Sequence, residues 1–306
     1  MKILITGGAG YIGTKLTKML LAHHEIEEIL IYDNLSKEHN NFFLGDNFQN
    51  GHKLRAVQAD ILDSRQLKKC LKNIDVVLHL AAKVTTPFAN ADPHFYEQVN
   101  HWGTAEVVYA VEESDVKKFI YLSSTSAYGA STELVDESSE PSPHTFYGIS
   151  KKRGEEHTQR LAQKINSLVL RAGNVYGFSK SMRFDAVINR FMFDANFTNR
   201  IQIFGTGKQS RAFIHVDYLV DSLTKSILNE VPSGTYNLVD KNLQIFEVVD
   251  VLKEIYPDLE FLFSNQHMNL RELMVNRDSK IYDHIPRYSS RSLKDELLEF
   301  KERFAF

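Results

Sequence analysis

A phenol and an ammonium stand four residues apart in Tyr147-Gly148-Ile149-Ser150-Lys151, a spacing that puts both on one face of a helix. A phenol with its ordinary pKa near ~10 is a poor base at neutral pH, and a cation beside it favours the phenolate, moving it toward the range a proton-transfer catalyst needs. Ser124 ends the preceding apolar run, Phe119 to Leu122. Its hydroxyl can hydrogen-bond an alcohol or carbonyl oxygen held beside Tyr147 while alkoxide charge builds and disappears. Tyr-x-x-x-Lys also arises by chance in ordinary amphipathic helices, so its meaning depends on what else the chain carries.

What else it carries begins at the first residue. Lys2-Ile3-Leu4-Ile5 is a short apolar run with β-branched residues, Thr6-Gly7-Gly8-Ala9-Gly10-Tyr11-Ile12-Gly13 follows at once, and Ile12, Leu16, Met19 and Leu20 recur at helical spacing. This predicts strand, tight turn, helix. A second apolar run, Ile29-Leu30-Ile31-Tyr32, closes on Asp33, twenty residues beyond Gly13, where a dinucleotide fold places the carboxylate that holds the adenosine ribose hydroxyls. Glycines let the backbone approach a pyrophosphate, and the helix N-terminus offers free N–H groups and partial positive charge. A nucleotide triphosphate loop is excluded by Thr14-Lys15, the reverse of the Lys-Ser/Thr order that places a hydroxyl for magnesium.

The rest of the first half alternates. Strands are predicted at Leu54 to Ala59, Val76 to Leu80, Phe119 to Leu122 and Ser167 to Leu170, with helices at Ser64 to Leu71, His94 to Glu113 and Tyr147 to Lys164. Asn34 to Lys53 reads as a loop with a helical turn. Alternation of this kind implies an α/β fold, a doubly wound parallel sheet with helices on both faces and right-handed crossovers. Ligands then bind at the strands' carboxyl ends, which singles out Gly7 to Gly13, Asp33, Asp60-Ile61, Ala81-Ala82-Lys83 and Ser123-Ser124. Residues 1–170 are expected to form the dinucleotide-binding domain. From Arg171 to Phe306 the texture changes: a helix at Phe184 to Ala195, strands at Ile201 to Phe204 and near Phe213 to His215, and a helix at Tyr218 to Asn229 suggest a smaller lobe interleaved with the last sheet elements.

Composition narrows the function classes. A net charge of −3 without a long basic block argues against nucleic acid, and no apolar run nears membrane-spanning length. Cys70 alone allows no internal disulfide and suits a reducing cytoplasm, as does Met1 opening directly into a strand. No metal site is expected: adjacent His23 and His24 point to different helix faces.

With these segments in order, the chain resembles the extended short-chain dehydrogenase/reductases, in the NAD-dependent nucleotide-sugar epimerase/dehydratase group. The resemblance rests on Gly7, Gly10 and Gly13; Asp33; Asp60-Ile61; His79-Leu80-Ala81-Ala82; Asn100 with Gly103-Thr104; Ser123-Ser124-Thr125-Ser126-Ala127-Tyr128-Gly129; Tyr147 and Lys151; Leu170-Arg171 with Asn174-Val175-Tyr176-Gly177; and Arg211 with His215-Val216-Asp217. It implies a Rossmann-type sheet with a smaller C-terminal α/β substrate lobe, and catalysis by Ser124, Tyr147 and Lys151. NAD would be held by Gly7, Gly10, Tyr11, Ile12, Gly13, Asp33, Asn34, Asp60, Ile61, Leu80, Ala81, Ala82, Lys83, Asn100, Ser123, Tyr147 and Lys151. Within that set Asp60 and Ile61 flank the adenine, and Lys151 holds the nicotinamide ribose. Ser124, Tyr147, Asn174 and Arg211 would bind a nucleotide-diphosphate sugar, the last two facing its diphosphate. His79 is read as structural.

Departures from the family pattern matter as much. Sugar-nucleotide 4,6-dehydratases carry an Asp-Glu pair just after the catalytic hydroxyl, where this chain has Thr125 and Ser126, leaving no obvious acid to eliminate water. Phe178 replaces a common Pro. The leading reading is an epimerase that oxidises a sugar hydroxyl transiently and returns hydride to the other face. A 4-ketoreductase would use the same residues, and a non-catalytic dinucleotide sensor the same fold. The resemblance also implies a homodimer through two helices per subunit, with Val99, Val107, Val108, Val111 and Leu161 as the expected face and packing within one chain as the alternative.

Overall fold

The computed structural model describes residues 1–37, 40–44, 47–84, 92–264 and 272–306. Strand β1 (Lys2–Thr6) is buried along Ile3 to Thr6, as a central parallel strand covered on both faces must be. Then come α1 (Tyr11–Leu20), β2 (Glu28–Asp33), β3 (Leu54–Gln58), α2 (Ser64–Cys70) and β4 (Val76–His79). A continuous helical rod follows: α3 (Pro93–Tyr96), a π-helical segment Glu97–Trp102, and α4 (Gly103–Glu112). The chain continues through β5 (Lys118–Ser124), β6 (Leu134–Val135), α5 (Phe146–Leu161), β7 (Asn166–Ala172), β8 (Asn174–Tyr176), α6 (Val187–Thr198), β9 (Arg200–Phe204) and β10 (Ser210–His215). It ends with α7 (Val216–Leu228), β11 (Gly234–Leu238), β12 (Lys241–Gln244), α8 (Ile245–Ile255), β13 (Glu260–Ser264), β14 (Met274–Val275) and α9 (Leu293–Lys301).

Seven strands form one parallel sheet in the order β11-β7-β5-β4-β1-β2-β3. The winding reverses at β1, which lies between β2 and β4, and the crevice outside such a switch point is where this architecture takes ligands. The predicted strands and helices of the first half are present. The stretch 34–53 holds two short 3₁₀ turns, Asn40–Phe43 and Gly51–Lys53, and Phe42 buries its ring against Phe48; residues 38, 39, 45 and 46 lie outside the described ones.

The second lobe contains the small sheet β12-β10-β8 and the parallel pair β9 and β13. Its core joins Ile188, Phe191 and Met192 of α6 to Val248 and Leu252 of α8 and Leu297 and Phe300 of α9. It is interleaved with the first part: α7 packs on α1, and β11 extends the main sheet beside β7.

One expectation fails. Val107, Val108, Val111 and Leu161 are fully buried in the chain's own core with Phe119 and Tyr121, and Val99 packs against the same cluster. The exposed large rings on α3, the π-helical segment and α4 are Phe95, Trp102 and Tyr109 instead.

Candidate active site

The turn after β1 carries two kinds of glycine. Gly7 has φ +68°, and a Cβ there would stand 2.6 Å from the Ala81 nitrogen, so this glycine is required by the close crossing of the β1 and β4 ends. A Cβ on Gly10 would meet only the Gly7 carbonyl, at 3.2 Å. Gly10 is the N-cap of α1, with no side-chain cap and no acid in the first turn. That is a helix N-terminus left open for an anion. Gly13 is held against Gly8, and Ile12 packs partly on the core.

Asp33 ends β2 and accepts from the Ala9 nitrogen at 3.0 Å and the Leu35 nitrogen at 2.9 Å, which fixes its carboxylate beside the glycine turn. Asn34 Nδ2 donates to Asp60 Oδ2 at 2.8 Å, joining the ends of β2 and β3. Ile61 lies under Gly103, whose hydrogen is all that its side chain leaves room for. Beyond β4, Ala81 donates to Thr6 Oγ1 at 3.3 Å and Leu80 to the Thr6 carbonyl at 3.0 Å, which holds the chain after β4 against the end of β1. An open helix N-terminus between a glycine cradle and a strand-end carboxylate fits a dinucleotide.

Three of the predicted cofactor residues use their side chains otherwise. Asn100 is fully buried, accepts from the Lys83 nitrogen at 2.7 Å, and gives its amide hydrogens to the Lys83 carbonyl and Ser150 Oγ. It therefore shapes the crevice wall from behind. Ser123 donates to Glu155 Oε1 at 2.5 Å, drawn away from the crevice by a buried carboxylate. Tyr11 turns its phenol into the second lobe, donating to the Gly177 carbonyl at 2.7 Å and accepting from Asn189 at 3.2 Å. Burial pushes that phenol's pKa up.

At the end of β5, Ser124 Oγ accepts from the Ser126 nitrogen at 3.1 Å, and its hydroxyl opposes the rise in the Tyr147 pKa. Tyr147 sits in the first turn of α5, which Thr145 caps by accepting from the Gly148 nitrogen at 3.0 Å. Its ring packs edge-on against Tyr96, with centroids 6.0 Å apart. Lys151 is one turn further, its ammonium donating to the Leu122 carbonyl at 2.7 Å and lying 4.2 Å from the centre of the Tyr121 ring. Serine, tyrosine and lysine thus meet at the sheet's carboxyl end.

The electrostatics differ from the sequence-based expectation. Burial raises the Tyr147 pKa, and the first cation opposing that rise is Arg183, followed by the Ser124 hydrogen bond; the Lys151 ammonium is turned to the Leu122 carbonyl. Burial draws Lys151 itself down to about 7, against the opposing pull of Glu155. His79 is structural as expected. Thr104 Oγ1 gives its hydrogen to the Asn100 carbonyl and so accepts from His79 Nε2, leaving His79 Nδ1 to accept from Thr6. Burial lowers this imidazole to about 3.

Asn174, two residues beyond the Ala172 that pairs with Ser124, donates to the Ala212 carbonyl at 2.9 Å, and Arg211 lies on the neighbouring strand β10. Sequence reasoning missed Arg183. It lies on the loop that Tyr11, Ser179 and Lys15 rivet to α1, through Ser179 Oγ to the Tyr11 carbonyl at 2.7 Å and Lys15 Nζ to the Phe178 carbonyl at 3.0 Å. No spacing rule reveals a residue brought in from the other lobe. Glu155 was also missed, although its place four residues after Lys151 was a usable signal. Among the described residues no group of acidic, histidine or cysteine side chains could hold a metal.

Fold and site together define a dinucleotide-dependent oxidoreductase of the extended short-chain type. The chain belongs to the NAD dependent epimerase/dehydratase family, whose model matches residues 3–238, and its cofactor is NAD. Two relatives show both sides of that family. The chain is 27% identical over 280 residues to the UDP-glucose 4-epimerase of Halalkalibacterium halodurans, covering 83% of this chain and 80% of that one. It is 29% identical over 259 residues to human dTDP-D-glucose 4,6-dehydratase, covering 83% and 73%. It superposes on the crystal structure of UDP-glucuronic acid 4-epimerase from Bacillus cereus, with UDP-glucuronic acid and NAD, at a TM-score of 0.87 and 25% identity, over 99% of this chain and 98% of that one.

Proposed function

We propose that this protein is an NAD-dependent nucleotide-sugar epimerase, in which Tyr147 removes a sugar hydroxyl proton and later returns it. One observation carries the choice between epimerase and dehydratase, which overall identity leaves even: the complete Ser124, Tyr147 and Lys151 set is followed by Thr125 and Ser126. Thr125 is buried, and no carboxylate stands at either position to protonate a leaving hydroxyl. When bound, NAD takes up hydride and gives it back. Ser124 orients the reacting oxygen beside the phenol and donates to it as it gains negative charge. Gly7, Gly10, Gly13, Asp33, Asp60 and Leu80 to Lys83 line the cofactor crevice, while Asn174 and Arg211 receive the diphosphate. Asp33 favours NAD over NADP, because a 2′-phosphate would meet a carboxylate.

In this reading residues 1–170 hold NAD and residues 171–306 the sugar, with α7 and β11 returning to the first part. The assembly is a homodimer. Trp102 and Tyr109 stand seven residues apart where the π-helical segment passes into α4 and stay exposed, which supports an isologous contact with a second copy. No helix among the described residues is long and apolar enough to cross a membrane. The lone Cys70 supports a cytoplasmic enzyme. Mass spectrometry of small molecules released from the purified protein tests the assignment. NAD retained in near-stoichiometric amount is expected of an enzyme that regenerates its cofactor within each turnover. A protein that arrives empty and consumes NAD(P)H stoichiometrically is a ketoreductase instead.

A further inference from the structure

Helix α5 buries a third chemical group on the face of its tyrosine and lysine. Tyr147, Lys151 and Glu155 follow at four-residue intervals, and all three are buried. Glu155 is only 2% exposed, far from any solvent that would stabilise its charge. Arg171, on β7, supplies that stabilisation with Nε 3.0 Å from Oε1 and Nη2 2.7 Å from Oε2. Ser123 adds a third hydrogen bond at 2.5 Å, and Arg171 pairs with Ser123 in the sheet register. The guanidinium is itself seated on the Tyr128 ring, 4.5 Å from its centre. So elaborate a clamp fixes one carboxylate on Ser123, the residue after the Leu122 whose carbonyl holds the Lys151 ammonium. Gly154 lets α5 lie against β5 closely enough for this, since a Cβ there would overlap the Tyr121 hydroxyl.

We propose that Glu155 is a positioning residue for Lys151: its clamped carboxylate keeps the ammonium charged at the Leu122 carbonyl, and so keeps the Tyr147–Lys151 pair competent near neutral pH. The proposal rests on the catalytic roles assigned above. Groups around Lys151 are Tyr121 from β5, Tyr147 and Glu155 from α5, His79 from β4 and, across Glu155, Arg171 from β7. Tyr121 and Tyr147 are neutral phenols whose pKa values burial raises, and His79 is neutral. Glu155 is accordingly the one anion in that set. Burial opposes the charge on Lys151 and Glu155 supports it.

The test uses Glu155→Gln, which keeps size and removes charge, and Glu155→Asp, which keeps charge at a shorter reach. Lysine labelled with ¹³C at Cε reports the Lys151 titration by NMR in the protein freed of NAD, with Lys151→Arg identifying the signal. The Lys151 midpoint is expected to fall by about one pH unit or more in Glu155→Gln and by less in Glu155→Asp. The alkaline limb of kcat/KM should move down with it. An unchanged midpoint with a loss of activity equal at every pH would overturn the proposal and leave Glu155 a structural residue. If Glu155→Gln does not fold, the Glu155→Asp midpoint decides in the same way. Failure of the wild-type protein to turn over any nucleotide sugar would count against the epimerase reading, while the NMR titration would still decide the role of Glu155.

Discussion

At the level of single residues, the proposed chemistry rests on the Tyr147 phenol, whose pKa burial raises while Arg183 and the Ser124 hydroxyl oppose the rise. The ring packs on Tyr96 and needs no hydroxyl to do so. Tyr147→Phe should therefore fold normally and bind NAD within a few-fold of wild type while losing turnover by about 10³-fold, the scale of a positioned proton-transfer group. Parallel losses of affinity and rate, in calorimetry and steady-state kinetics, would remove the phenol from the chemistry. The glycines make a second contrast. Gly7→Ala puts a Cβ against the Ala81 backbone at a positive φ, and should cost about 2 kcal/mol or more of stability in urea denaturation. Gly10→Ala, at φ −74° and with only the Gly7 carbonyl 3.2 Å from its Cβ, should lose less stability than Gly7→Ala yet bind NAD about tenfold more weakly, since it adds bulk at the open N-terminus of α1. Equal melting of the two variants would contradict the division into structural and ligand-facing glycines.

At the level of elements, what could be read from sequence was whatever local spacing encodes. Strand β1, the glycine turn and α1 follow from an apolar run, four small residues and a 3.6-residue period; Tyr147 and Lys151 share a face because four residues make about one turn. Contacts made between distant segments left no such trace. Arg183, on a loop beyond β8, acts on the tyrosine through its charge alone, Tyr11 leaves the cofactor turn for Gly177, and Ser123 turns to Glu155. The valines of α4 looked like surplus apolar area because an amphipathic pattern does not say which apolar stripe meets the sheet. The buried histidines show the same dependence on tertiary packing. His79 and His215 are drawn by burial from 6.5 to about 3 and about 4. Unfolding frees them to take up protons, so their contribution to stability is present above pH ~6.5 and is lost as pH falls toward ~4. Urea denaturation across that window should show a slope near two protons taken up on unfolding, and His79→Gln should reduce it by about one. A slope unaffected by that substitution would mean that His79 titrates equally in both states.

At the level of the whole molecule, the chain crosses more than once between its first and second parts. Residues 177–181 are bound to α1, Lys15 pairs with Asp217, and β11 returns to the main sheet. That arrangement can hold cofactor and sugar together through a full cycle. The assembly should match it. Trp102, in the π-helical segment, is 57% exposed, so Trp102→Glu places two charges by symmetry at the centre of the proposed contact. Light scattering at micromolar concentration should give about twice the 35.1 kDa chain mass for wild type and the chain mass for the variant. A wild-type monomer would sink the dimer without touching the active site. The central claim is that this protein inverts a sugar carbon with no net redox change. Proton NMR of purified protein with UDP-glucose, UDP-glucuronic acid and the corresponding GDP-, CDP- and dTDP-sugars in turn, without added cofactor, tests it most directly. The account predicts that one of these gives an equilibrating pair of epimers over many turnovers, with no NADH accumulating. A 4-keto-6-deoxy sugar formed by loss of water, or turnover that stops until NAD(P)H is supplied, would contradict it.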